Sequence, residues 1–188
     1  MNEASDKELV SMFREEKTRQ QAFRLIVTRY QKKLYWHIRR ILVDHDDTDD
    51  VLQNTFIKTW KGLDGFKEDA QLYTWLYRIA TNETMSFIRA RKAELFVRFG
   101  DAEFSIEDKL GDSNTFQGDE IQKKLQRAIQ QLPEKQRIVF TMKYFDDVKY
   151  EDMSEILETS VGALKASYHH AVKKIEAYIR STAEESIQ

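Results

Sequence analysis

One proline and six glycines in 188 residues leave this chain almost without helix breakers. Proline removes a backbone donor and clashes inside a helix, and glycine gives up more backbone entropy than any other residue, so their scarcity lets helices run long. Between them Leu, Ile, Lys, Glu, Gln and Arg dominate, residues that lose little on entering a helix. No run shows the period-two alternation of β-branched and aromatic residues that a strand needs, and the fold class expected is all-α. Apolar types make up 41% of the chain, enough for a packed core, and its length suits one domain or two small ones.

Charge divides the chain. From Asp101 to Glu120 seven acids stand against Lys109 alone, with Gly100, Gly111 and Gly118 spaced through the stretch. That is the composition of a flexible acidic linker. The expected organisation is therefore a helical domain over 1–98, a linker over 99–119 and a second helical domain over 120–188. Within the first, Arg24 to Ile41 holds six basic residues and no acid, and Asp44, Asp46, Asp47, Asp49 and Asp50 then crowd the next turn. Carboxylates are favoured at a helix N-terminus by its exposed N–H groups, so the Asp cluster marks a helix start.

Several kinds of chemistry lack their residues. Zero cysteines remove disulfides, thiolate metal sites and a cysteine nucleophile, and suit a reducing compartment. Calcium-loop spacing fails at both possible starts: Asp49 and Thr55 stand where a loop begun at Asp44 needs Gly and Glu, and Ile57 where one begun at Asp46 needs Glu. His169 and His170 are adjacent and cannot form the i, i+4 pair of a zinc site. No phosphate-binding glycine motif and no nucleophile elbow occurs. The expectation is a protein that is not an enzyme, with no metal, no cofactor and no small-molecule substrate. Apolar runs are too short to span a bilayer and the first twenty residues are too acidic for a signal peptide, so a cytoplasmic location is the default.

Two segments point to nucleic acid. After helices expected over Ile121–Gln131 and, following Pro133, over Glu134–Phe145, the run YEDMSEILETSVGALKASYHHAVKKIEAYI reads helix, short turn, helix. Met153, Ile156 and Leu157 give its first helix a buried face, Glu158–Thr159–Ser160 break it, and Ser160 caps a helix from Val161. On that second helix Val161, Leu164, Tyr168, Ala171, Val172 and Ile175 form a core stripe. Lys165, Ala166, His169, His170 and Lys173 lie on the other side, a basic face suited to a major groove. In the first domain, a helix from Leu72 places Leu72, Trp75, Leu76, Ile79, Ala80 and Phe87 toward a core and Arg78, Asn82, Met85 and Arg89 opposite. Arg91 and Lys92 extend the charge, and Tyr73, Tyr77 and Phe66 add rings on which unpaired bases can stack.

DDTDDVLQNTFIKTW, then Phe66 followed at a set distance by YTWLYRIATNETMSFIRARK, then LPEKQRIVFTMKYFD and the helix-turn-helix resemble, in that order, the extracytoplasmic-function (ECF) sigma factors of the sigma-70 family. The resemblance runs from about Ala22 to Ile179. It implies a region 2 helical bundle and a region 4 helix-turn-helix, and a promoter-specificity subunit that binds core bacterial RNA polymerase, recognises promoter elements and opens the duplex. By position, Asp50, Gln53, Asn54, Phe56, Ile57 and Trp60 would meet the clamp helices of the largest polymerase subunit; the usual motif has an acid where Asn54 stands. Phe66 and the loop to Gln71 would shape a pocket for a flipped base of the single-stranded −10 element. Asn82 would contact a base, and Arg78, Arg89, Arg91 and Lys92 would hold backbone. Lys165, Ala166, His169, His170 and Lys173 would read the duplex −35 element, on a helix less arginine-rich than is common. Helix Glu134–Phe145 would hold the polymerase flap tip, the acidic linker would thread the RNA channel, and an anti-sigma factor, often membrane-bound, would hold the protein inactive. The alternative is a stand-alone helix-turn-helix regulator, which would need a self-complementary dimer surface and palindromic half-sites.

Overall fold

The computed structural model describes residues 4–67, 70–99 and 120–184, side chains at 95–99 and 183–184 excepted. Among these residues every regular element is helical, and the chain divides into two compact units. The expected linker falls almost wholly outside the described residues.

The first unit is built on α1 (Asp6–Arg14), α2 (Arg19–Leu42), α3 (His45–Gly62), a 3-10 turn (Leu63–Gly65) and the first part of α4 (Leu72–Phe99). Helix α1 was not expected from sequence. Ser5 opens it with a capping box: the Glu8 N–H donates to Ser5 Oγ at 3.3 Å and the Ser5 N–H to Glu8 Oε2 at 2.6 Å. Asp44 caps α3, accepting from the Asp47 N–H at 3.0 Å, which is the role foreseen for the Asp cluster. Leu9, Val10 and Phe13 of α1 share the core with Ile26, Leu34, Ile38 and Ile41 of α2 and Leu76 and Ala80 of α4.

Threonine takes a large further share of that core. Thr48, Val51, Thr55 and Thr59 are the buried residues of α3. The hydroxyls of Thr48, Thr55 and Thr59 donate to the carbonyls of Asp44, Val51 and Thr55 at 2.5, 2.8 and 2.8 Å. Bonding four residues back satisfies each hydroxyl within its own helix and leaves the methyl to pack. On α4 the expected core face is rotated. Leu72, Leu76 and Ala80 are buried, but Trp75, Ile79 and Phe87 only partly so, and Thr74, Tyr77, Thr81 and Thr84 take the remaining buried places. The Thr84 hydroxyl bonds back to the Ala80 carbonyl at 2.8 Å, and Thr81 Oγ1 lies 3.0 Å from Nε2 of the buried His37.

The second unit holds the end of α4 from Arg89, α5 (Glu120–Gln130), α6 (Glu134–Tyr144), α7 (Tyr150–Leu157) apart from Glu155–Leu157, and α8 (Val161–Glu184). Ala128, Ile129, Leu132, Phe140, Ala171 and Ile175 form its core, with Leu125, Tyr168 and Val172 against it. Arg137 is buried and closes the end of α5, its Nη2 donating to the carbonyls of Gln130 at 2.7 Å and Leu132 at 3.2 Å. Burial lowers the guanidinium's proton affinity from its ordinary value, a bias that the nearby Glu134 carboxylate opposes.

Candidate nucleic-acid interface

Helix α3 is inside out. Its buried side is threonine and valine, while Ile57 is 44% exposed, Trp60 is 36% exposed and Phe56 is half-buried. Trp60 does not float: its ring meets Phe13 and Phe23 edge-on at 5.1 and 5.0 Å between centroids. Asp50, Gln53 and Asn54 are exposed earlier on the same helix. Helix α3 thus carries two large exposed apolar side chains, with Phe56 half-buried between them and the polar Asp50, Gln53 and Asn54.

The residues proposed around an unpaired base separate into outer and inner sets. Arg78, Asn82, Arg89 and Lys92 are exposed along α4 and Arg91 is half-buried. Phe66, by contrast, is 7% exposed. Its ring packs on Trp75 at 5.2 Å, and its carbonyl accepts from Arg14 Nη2 at 2.6 Å. The Trp75 ring in turn lies on Gly62, where an added Cβ would come within 3.2 Å of it. Phe66 therefore supports the loop from within. Beside it a cavity of about 490 Å³ is lined by Phe66, Ala70, Gln71 and Leu72 and, across from them, by Ser5, Asp6, Lys7 and Val10 of the α1 end. Sequence reasoning missed that second wall along with α1, although Ser5 and Glu8 carried a capping-box signal.

The helix-turn-helix is formed as its local signals specify. Helix α7 ends where Glu158 turns left-handed (φ 50°, ψ 43°) and its N–H returns to the Ser154 carbonyl. Ser160 Oγ then accepts from the Ala163 N–H at 3.3 Å and α8 begins at Val161. Leu164, Ala171 and Ile175 are buried, whereas Lys165, Ala166, His169, His170 and Lys173 are all exposed. The Lys165 ammonium sits 5.7 Å from the centre of the Tyr150 ring of α7, and the Lys143 ammonium 5.4 Å from it. Among the described residues no group of three or more acidic or histidine side chains could hold a metal ion, and no helix is long and apolar enough to cross a membrane.

The family described as sigma-70 region 2 matches residues 26–94, and that described as sigma-70, region 4 matches residues 122–175. The RNA polymerase sigma-H factor of Pseudomonas aeruginosa is 31% identical over 194 aligned residues, which span 99% of this chain and 100% of that protein. The ECF RNA polymerase sigma-E factor of Escherichia coli is 31% identical over 175, spanning 87% and 89%. Two solved structures share the fold. CnrH, in complex with the cytosolic domain of CnrY, superposes with a TM-score of 0.68 at 23% identity, over 94% of this chain and 97% of that one. The sigma factor RpoE of Bartonella quintana, in complex with the anti-sigma factor NepR, gives 0.66 at 21%, over 84% and 96%. With both region families matched in order and a full-length relative above 30% identity, the chain belongs to the sigma-70 family, among its ECF sigma factors, and is a sigma subunit of bacterial RNA polymerase.

Proposed function

We propose that the chain works as two contact modules joined by a tether, with boundaries near 98 and 120. The first docks on the clamp helices of core polymerase through α3 and captures unpaired −10 bases along α4. The second reads the −35 duplex through α8 and holds the flap tip through α6. The inverted α3 carries this reading, because a helix that buries threonine and exposes Ile57 and Trp60 is built to be covered by a partner. The names of the relatives supply the partner's chemistry: they are RNA polymerase sigma factors.

On α4 the exposed cations neutralise backbone phosphates and Asn82 supplies an amide able to read a base edge. The cavity beside Phe66 offers a place for an extruded base. Stacking and desolvation there offset the few kcal/mol that extrusion costs, so strand opening needs no catalytic group and the chain is not an enzyme. The acidic linker mimics RNA in the exit channel and is displaced by it. An anti-sigma factor holds the protein inactive, a reading supported by the solved neighbour RpoE, which is bound to the anti-sigma factor NepR in its structure, and the site of action is the cytoplasm. The stand-alone regulator is not favoured, since nothing in that role calls for the α3 face.

The experiment is run-off transcription by purified core polymerase, with and without this protein, on fragmented genomic DNA from the source organism. Discrete transcripts that share two spaced upstream elements are the expected outcome. Failure to bind core polymerase at all would return the stand-alone regulator.

A further inference from the structure

Helix α2 carries a surface that none of the contacts above uses. Between Arg24 and Ile41 it has no acid. On its outward side Lys32, Lys33, Trp36 and Arg40 recur at three- and four-residue spacing, which puts them on one ridge about 12 Å long. Trp36 is 42% exposed, yet it is held in place: Tyr35 meets it edge-on at 5.5 Å, and the Tyr35 hydroxyl is itself 2.9 Å from His45 Nδ1 at the start of α3. The Arg40 guanidinium lies 5.8 Å from the indole centre. One turn on from Trp36, Arg39 is 4% exposed and its Nη1 has no hydrogen-bond partner among the described residues.

We infer that this ridge of α2 binds single-stranded nucleic acid, as a contact separate from the Asn82 face of α4. The indole supplies a stacking platform and the flanking cations take successive phosphates. The occupant is a single strand rather than a duplex because only unpaired bases present their faces to an indole, and nucleic acid rather than an acidic protein because a fixed, exposed ring gains most from a flat π-face.

The test is fluorescence anisotropy of a labelled twelve-residue oligothymidylate with the full chain, over a series of salt concentrations. Trp36→Ala is expected to weaken binding by roughly 5- to 150-fold, and Trp36→Phe to retain most of the affinity. Lys32→Ala with Lys33→Ala is expected to lower the slope of log affinity against log salt by about 1.4. Binding by Trp36→Ala within twofold of wild type, absence of binding by the wild type, or equal displacement by polyglutamate from wild type and Trp36→Ala would each overturn the inference. Asn82→Ala in the same assay keeps the two readings apart. Loss with Asn82→Ala but not Trp36→Ala assigns the strand to α4 alone. Loss with Trp36→Ala, alongside unchanged promoter choice by Asn82→Ala, sustains the α2 contact and removes the −10 reading.

Discussion

Tyr30 shows how one residue ties the first helix to the second. Its ring is 6% exposed and its hydroxyl donates to Asp6 Oδ2 at 2.5 Å, while Arg29 Nη1 donates to Asp6 Oδ1 at 2.6 Å. Burial, and then the bond to Asp6, push the phenol above its ordinary value. The unfolded chain ionises this group near pH ~10 and the folded chain only above that. Its contribution to stability is therefore complete below pH ~10 and is lost as pH climbs past it. Tyr30→Phe is expected to cost about 1–2 kcal/mol at neutral pH and to flatten the alkaline loss. Tyr168, also raised by burial, keeps its own share in that variant. Urea unfolding at pH 7, 10 and 11 measures both effects, and equal alkaline losses in variant and wild type would rule the account out. Asn82 is the opposite case, an exposed residue on α4. Asn82→Ala should leave stability within about 0.5 kcal/mol and cost about 1–3 kcal/mol of discrimination at one −10 position, read by transcription from single-base promoter variants. Unchanged promoter choice would remove Asn82 from base reading.

At the scale of elements, the turn between α7 and α8 bears a strain that sequence alone does not price. Glu158 is exposed and adopts the left-handed conformation that glycine usually takes after a helix. Glu158→Gly is expected to raise stability by about 0.5–1 kcal/mol, since relief of the left-handed cost exceeds glycine's added unfolded-state entropy. A fall in the urea midpoint would contradict it. Helix starts in this unit were legible because each is set by a short-range signal: Pro133 before α6 and Ser160 before α8 act on the next few residues whatever the tertiary context. The faces were less legible. Hydropathy counts threonine as polar, but Thr48, Thr55, Thr59 and Thr84 are all 0% exposed because each hydroxyl is satisfied four residues back in its own helix, and Thr81 is 0% exposed against the His37 ring nitrogen. That hidden stripe is why α4 is rotated from its expected face, with Trp75 displaced onto Gly62 and Phe66. It is also why α3 can turn Ile57 outward. Ile57→Ser is accordingly expected to leave folding intact and to weaken capture by core polymerase by more than about 1 kcal/mol, measured by competition for core. Unaltered competition would free that face for another partner.

For the whole molecule, what matters is how weak contacts on two units add. Each unit has its own hydrophobic core, α1 to α4 around Phe13, Leu34 and Leu76, and α5 to α8 around Ile129, Phe140 and Ile175. With no cysteine in the chain, neither core is closed by a disulfide. Two folded modules on one chain bind a common partner at the effective concentration that the joining segment sets. Joined avidity then exceeds either affinity by about 10²- to 10⁴-fold. The proposed joining segment is acidic and glycine-punctuated in sequence, with seven acids and Lys109 between Asp101 and Glu120. A protease site placed between Gly111 and Asp112, inside the proposed linker, tests this tether. Cleavage is expected to weaken binding to core polymerase by that 10²- to 10⁴-fold, with the thermal unfolding of each unit unchanged. If the cut protein competes for core as well as the uncut one, a single unit supplies the whole affinity, and the second module's contact with polymerase falls away.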